Sequence, residues 1–402
     1  MSDPLQSQAI SLDEHSLLAE ARERSGLRDF GGEEFREPLR RLLAALDSEA
    51  NLNAAGRMAQ HARIVDSLVT RLRAQDAFAR HPEILEERIE APIIVTGLPR
   101  TGTTLLQRLL ASDPATNALL WWECRSPAPW PGSDWCSGPD PRIADAHQQV
   151  RAILAAQPEL AAIHPWEPEG PDEEVLLLEH SFLSQVPESS ANLPSYRSWL
   201  DAQDLSPAYA YLFRLLQFLQ WQKRVSGRLR EHWVLKSPCH LAYLDELLRV
   251  FPDARLVQTH RDPIRTLPSI ASMYASLWRL ATDAVDEHEI GRQCLERYAW
   301  ALNRCLAARR RLPPERFLDV AYADVVRDPL DPLRRIYTFA GRALSPAAEA
   351  AMRRFTLEHA RDKRPSHAYS LERFGYTAEG IGKQFADYRA RFASAREARP
   401  DA

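Results

Sequence analysis

Ten residues, GLPRTGTTLL from Gly97 to Leu106, constrain the fold of this chain more than any other feature. They follow a short apolar run, Ile93 to Thr96, that has the length of a buried strand. They lead into LLQRLLAS, whose apolar residues recur at helical spacing until Asp113-Pro114 ends the pattern. Strand, glycine-bounded turn and helix together present backbone N–H groups and a helix N-terminus to an anion. Thr101, Thr103 and Thr104 add hydroxyl donors, and Arg100 puts a cation inside the turn. An ordinary turn with two glycines accounts for neither the arginine nor the threonines.

A Walker A loop places lysine and then Ser or Thr after its second glycine. Here the lysine position is Thr103, so the charge lies earlier in the loop, at Arg100. A P-loop kinase or NTPase also needs an aspartate after an apolar strand to hold magnesium. Asp262 is the candidate, but it stands between His260-Arg261 and Pro263, a setting better suited to clamping an anion.

Two further segments read as strands that end in a cation. In HWVLKSPCHL, Trp233 to Lys236 is the strand and Lys236 closes it. The chain holds four lysines against 47 arginines, so a lysine in an unusual place is less easily read as a neutral exchange for arginine. A compact ammonium at a strand's C-terminal end suits a developing negative charge, although a snorkelling lysine could occupy the same place. In ARLVQTHRDPIRTLPSIAS, Arg261 closes the strand and Ser269 lies eight residues on, in the helix that begins after Pro263. That pair could clamp a second phosphate; alone it is equally a surface arginine and a helix serine. Arg316 to Tyr322 is a last strand candidate. Alternating strands and helices predict an α/β fold, with a mainly parallel central sheet flanked by helices.

The rest of the chain is predominantly helical. Residues 1–90 predict a helical N-terminal region with no chemistry of its own, packed on a core at 91–402. Within that core, 121–230 reads as helical insertions. It opens on WWECRSPAPWPGSDWCSGPDP, whose four tryptophans and five prolines predict a rigid loop that could line an apolar pocket. A net charge of −4 argues against a general nucleic-acid surface. The five cysteines are scattered and odd in number, as expected for reduced thiols in the cytoplasm. Neither a signal peptide nor a membrane-spanning run is expected. No histidine or cysteine pair has metal-ligand spacing.

Taken in order, these motifs resemble the PAPS-dependent sulfotransferase family, particularly its bacterial branch, from about Ala91 to Arg391. GLPRTGTTLL is similar to the family's 5′-phosphosulfate loop, RDPIRTLPS to its 3′-phosphate motif, and VLKSPCHL to the strand that bears a catalytic lysine. VAYADVVRDP resembles the Y-x-D segment, which makes Tyr322 the tyrosine bordering the nucleotide. YSLERFGYTAEGIGKQFADYRARF is similar to the end of the bacterial members. The resemblance implies a P-loop-like fold and transfer of a sulfuryl group from PAPS to an acceptor hydroxyl or amine, with release of PAP and no metal. The 5′-phosphate would lie on Arg100, Thr101, Gly102, Thr103, Thr104 and Leu105, and the 3′-phosphate on Arg261 and Ser269. Arg100 and Lys236 would stabilise the leaving oxygen.

A base must take the acceptor proton. Glu123 comes first, because it follows the loop helix close to where protein-tyrosine sulfotransferases keep a glutamate, and a carboxylate beside tryptophans can have a raised pKa. His240 comes second. His164, Glu173 and Glu174, from HPWEPEGPDEE, come third, since PDEE also reads as a solvated helix start. The acceptor is expected to be a small molecule, lipid or sugar. The helical N-terminal region could also pack against a second subunit as a homodimer. A nucleotide-binding module without catalysis is the remaining alternative, and Arg100 and Lys236 weigh against it.

Overall fold

The computed structural model describes residues 10–163, 165–359 and 370–392. Among these residues, five parallel strands make one sheet: β1 (Ile93–Gly97), β2 (Thr116–Ala118), β3 (His232–Lys236), β4 (Arg255–His260) and β5 (Phe317–Ala321). Their order across the sheet is β2-β3-β1-β4-β5. The chain therefore builds outward on one side of β1 and then crosses to the other. That reversal opens a crevice at the C-terminal ends of β3, β1 and β4, where ligands bind in open α/β sheets.

Strand alternation sorts the core into two layers. Ile93, Val95, Val234, Val257 and Val320 face one side, where they cluster with Leu106, Leu109, Leu333, Ile336 and Met352. Ile94, Leu235 and Leu256 join the larger cluster on the other side, which runs from Leu12 to Tyr388. The N-terminal helices α1 (Glu14–Ser25), α2 (Arg36–Ser48) and α3 (Ala54–Arg80) belong to that larger cluster. Asn53 caps α3 by accepting from the Gly56 N–H at 2.8 Å.

Four of the five strands lie where the apolar runs predict them. The edge strand β2 carries no such signal, because three residues, Thr-Asn-Ala, show no apolar pattern. Side-chain bonds hold it instead: Asn117 Nδ2 donates to the carbonyls of Arg230 and His232 at 2.8 and 3.0 Å. The tryptophan- and proline-rich segment is not loop throughout, since it opens on a five-residue helix, α5 (Trp121–Arg125). Among the described residues, no helix is long and apolar enough to cross a membrane.

Candidate active site

The turn after β1 is locked from beneath. Gly97 has φ +144°, and a Cβ there would meet Thr259 Oγ1 of β4 at 2.4 Å, so only glycine fits between the strands. Thr101 is fully buried, and its hydroxyl donates to the Leu98 carbonyl at 2.6 Å and meets Thr259 Oγ1 at 2.6 Å. Its side chain holds the loop's shape and has no oxygen left facing a ligand. Gly102 has φ +89°, and a Cβ there would come within 3.1 Å of the Tyr322 ring. Helix α4 (Thr103–Ala111) begins next, and the Leu106 N–H donates to the Gly102 carbonyl at 3.0 Å. The N–H groups of Thr103, Thr104 and Leu105 precede that bond and have no intrahelical acceptor. Backbone donors left open in this way at a helix N-terminus suit an anion.

Arg100 adopts φ +70°, the left-handed region that non-glycine residues seldom occupy. This turns its guanidinium across the crevice. Nε donates to Ser269 Oγ at 3.0 Å and Nη1 to the Ile163 carbonyl at 2.6 Å. Arg100 and Ser269, expected at opposite phosphates, are thus brought together. Arg261 Nη1 donates to the Arg100 carbonyl at 3.2 Å, and its guanidinium carbon sits 4.1 Å from the Tyr322 ring centroid. The loop, the end of β4 and the residue that follows β5 form one cationic corner.

Lys236 ends β3 beside Val95, in register with the centre of the sheet. Its side chain is fully buried. Nζ donates to Glu173 Oε1 and lies 3.4 Å from Thr104 Oγ1. The ammonium therefore bridges the loop helix and a carboxylate. That carboxylate is 21% exposed and lines a cavity of about 430 Å³ together with Arg100, Thr103, Thr104, Trp121 and Trp166.

The two carboxylate and histidine candidates ranked above Glu173 are placed elsewhere. Glu123 is buried and does not line the cavity. Its Oε2 accepts from the Leu120 N–H at 3.0 Å, capping α5, and its Oε1 is ion-paired with Lys223. His240 is fully buried between Glu174 Oε1 at 2.7 Å and the Tyr209 hydroxyl at 2.8 Å. Glu174 Oε2 in turn accepts from the Lys236 N–H at 2.7 Å, so that pair supports the lysine strand from behind. His164 lies outside the described residues.

Three features differ from the sequence expectations or were absent from them. Thr259 fastens the loop from the neighbouring strand. Of the tryptophan-rich segment's four indoles only Trp121 lines the cavity, and Trp166 joins it from further along the chain. The N-terminal region does reach the site, because Ala59, Gln60 and Arg63 of α3 line the same cavity. Among the described residues, no three His, Cys, Asp or Glu side chains converge as a metal site requires.

Comparison with known proteins fits this geometry. The sequence model described as the sulfotransferase family matches residues 92–346. The omega-hydroxy-beta-dihydromenaquinone-9 sulfotransferase Stf3 of Mycobacterium bovis is 26% identical over 303 residues, which cover 73% of this chain and 74% of that protein. The structure of sulfotransferase STF9 from Mycobacterium avium is 32% identical with a TM-score of 0.85, covering 99% of this chain and 100% of that one. Sulfotransferase STF1 from Mycobacterium tuberculosis H37Rv is 33% identical with a TM-score of 0.81, covering 94% and 100%. The family match starts just before β1 and ends beyond β5, and two sulfotransferase structures align over nearly the whole chain; the chain belongs to the sulfotransferase family and is an enzyme of that class.

Proposed function

We propose that the enzyme takes its sulfuryl group from PAPS and passes it to the hydroxyl of an acceptor with an apolar body, releasing PAP. The observation that carries this reading is the position of Lys236, whose buried ammonium touches the loop helix at Thr104 on one side and Glu173 on the other. A leaving 5′-phosphate on the loop and an acceptor hydroxyl at Glu173 would both lie within reach of one cation.

The loop fits the donor. The N–H groups of Thr103, Thr104 and Leu105 and the Thr103 and Thr104 hydroxyls receive the 5′-phosphate. Arg261, stacked on Tyr322 and 3.2 Å from the Arg100 carbonyl, takes the 3′-phosphate with Ser269. Arg100, bonded to Ser269 and to the Ile163 carbonyl, ties the two phosphate corners together.

Glu173, rather than Glu123, serves as the base. It removes the acceptor proton as the acceptor oxygen bonds to sulfur and the bond from sulfur to the 5′-phosphate oxygen breaks. The negative charge then rests on PAP, opposite Lys236 and the loop donors. A sulfuryl group carries less charge than a γ-phosphoryl group, so these donors suffice without a magnesium clamp. The cavity's indoles and the side chains of Ile153, Leu160 and Leu277 favour an apolar acceptor body. The name of the Mycobacterium bovis relative, an omega-hydroxy menaquinone sulfotransferase, supports an acceptor that offers a hydroxyl.

The test is a screen with sulfur-labelled PAPS over a mixed library of alcohols, phenols, sugars and amines, with each labelled product identified by mass. Label carried onto an apolar alcohol is expected. Release of label only as free sulfate, whatever the acceptor, contradicts transfer.

A further inference from the structure

One end of the acceptor cavity, which the transfer reaction does not use, carries more positive than negative charge. Arg63 of α3 and Arg125 at the end of α5 both line it, and both pair with a single carboxylate, Glu179. Glu179 Oε1 accepts from Arg63 Nη2, and Oε2 accepts from Arg125 Nη1 at 3.1 Å. Side-chain exposure is 17% for Arg63, 25% for Arg125 and 6% for Glu179, so water screens the imbalance poorly.

The neighbouring groups do not cancel that charge. Ser190 Oγ accepts from Arg63 Nη1 at 3.1 Å and from Gln60 Nε2 at 3.4 Å, and neither Ser190 nor Gln60 carries a charge. His180 is next to Glu179 and buried, with Nε2 donating to the Cys124 carbonyl at 3.1 Å. Burial, partly opposed by that carbonyl and reinforced by Arg125, Arg71 and Arg63, pulls its pKa down to about 3, so it stays neutral. Asp66, which also acts on Arg125, is bonded to Arg24 at 2.8 Å. Two cations and one anion leave about +1 at this end of the chamber; its other charged lining groups are Arg100, Asp172 and Glu173, the last paired with Lys236.

The cationic end stands apart from the reacting end. Glu173 precedes and Glu179 follows the helix Val175–Leu178, whose four residues rise about 6 Å. The phosphate-binding groups Arg100, Arg261 and Ser269 belong to other elements.

We propose that Arg63 and Arg125 form a subsite for a carboxylate at the end of the acceptor remote from its reacting hydroxyl, so that the preferred acceptor is an apolar ω-hydroxy acid. One net positive charge matches a carboxylate better than a dianionic phosphate. Two guanidinium groups offer the planar donors that carboxylates accept in pairs. The inference uses the proposed transfer only to say which end of the cavity reacts.

Binding tests this without turnover. The protein, saturated with PAP, is titrated calorimetrically with a medium-chain ω-hydroxy carboxylate and with its methyl ester. The acid is expected to bind at least about tenfold tighter, as charge-assisted hydrogen bonds imply. Arg125→Gln and Arg63→Gln should erase that preference. Glu179→Gln should widen it, a change of opposite sign that loss of fold cannot mimic. An ester that binds as well as the acid, no binding of the acid, or an unchanged preference in Arg125→Gln overturns the subsite. A separate titration with PAP alone keeps the two readings apart. If PAP does not bind, the donor assignment falls, while the acid-to-ester ratio still reports on the arginines.

Discussion

Lys236 and Glu173 are joined by a hydrogen bond at the C-terminal edge of β3, 63 residues apart in the chain. In the proposed mechanism the pair marks the reacting end of the cavity, and Thr104 of the loop helix lies on the other side of the same ammonium. Lys236→Met should lower turnover by about two to three powers of ten, the range seen when a charge-stabilising donor is lost. Its affinity for PAP should change far less. Paired rate and calorimetric measurements check this, and unchanged turnover removes Lys236 from the mechanism.

Glu173→Gln should cost about 10²- to 10⁴-fold in turnover, the usual contribution of a positioned base. Glu123→Gln should leave turnover near that of the parent enzyme. It should lower stability by about 1–3 kcal/mol instead, because Lys223 and the Leu120 N–H lose a buried charged acceptor. Turnover and urea denaturation of both variants separate the two roles. An inactive Glu123→Gln beside an active Glu173→Gln reverses the assignment.

Arg100 is held at φ +70° by the loop rather than by its own preference. Arg100→Gly and Arg100→Ala both lose the bonds to Ser269 and Ile163, but only alanine keeps the backbone strain. The glycine variant should be more stable than the alanine variant by about 1 kcal/mol. Both should be nearly inactive. Denaturant titration and turnover on the same preparations check the pairing.

Glu287 fastens the segment at 370–392 to the helix Glu287–Arg309. Arg373 donates to it from Nε at 2.8 Å and from Nη2 at 2.6 Å, and Arg279 adds a further bond. Arg373 in first place, with Arg279, holds the carboxyl down to about 2 from an ordinary 4.5. A folded pKa below the unfolded one means stability that is fully present above 4.5 and is lost as pH falls toward about 2. Amide exchange around Phe374 should quicken across that window. In Glu287→Gln this pH dependence should be absent.

Much of the sheet can be read directly from the sequence because buried parallel strands are continuous apolar runs that end in punctuation. Ile93–Gly97 and Arg255–His260 show this, whereas Thr116–Ala118 is too short and polar to do so. The loop is legible because its glycines and threonines sit at fixed offsets from a strand and a helix. Lys236 stands out because lysine is rare in this chain. The base is harder, because every candidate carboxylate is separated from Lys236 by dozens of residues and only the fold decides which one arrives. Glu123 has the better local setting, beside tryptophans, but its helix turns it toward Lys223. Arg63 lies in a helix whose sequence shows only that one side is apolar. Nothing local reveals that its other neighbours enclose a cavity.

Arg261 is stacked on Tyr322 at the proposed 3′-phosphate corner. Arg261→Ala should weaken PAP by about ten- to a hundredfold, the value of charge-assisted bonds to one phosphate. Adenosine 5′-phosphosulfate, which lacks that phosphate, should lose little. Equal losses for the two ligands refute the role.

The donor assignment is tested most directly by calorimetric titration of the intact protein with PAP in the presence of a metal chelator, run beside a titration with ATP and magnesium. The predicted result is saturable PAP binding in chelator and none of comparable strength with ATP–magnesium. Binding of ATP–magnesium without binding of PAP contradicts PAPS as the donor.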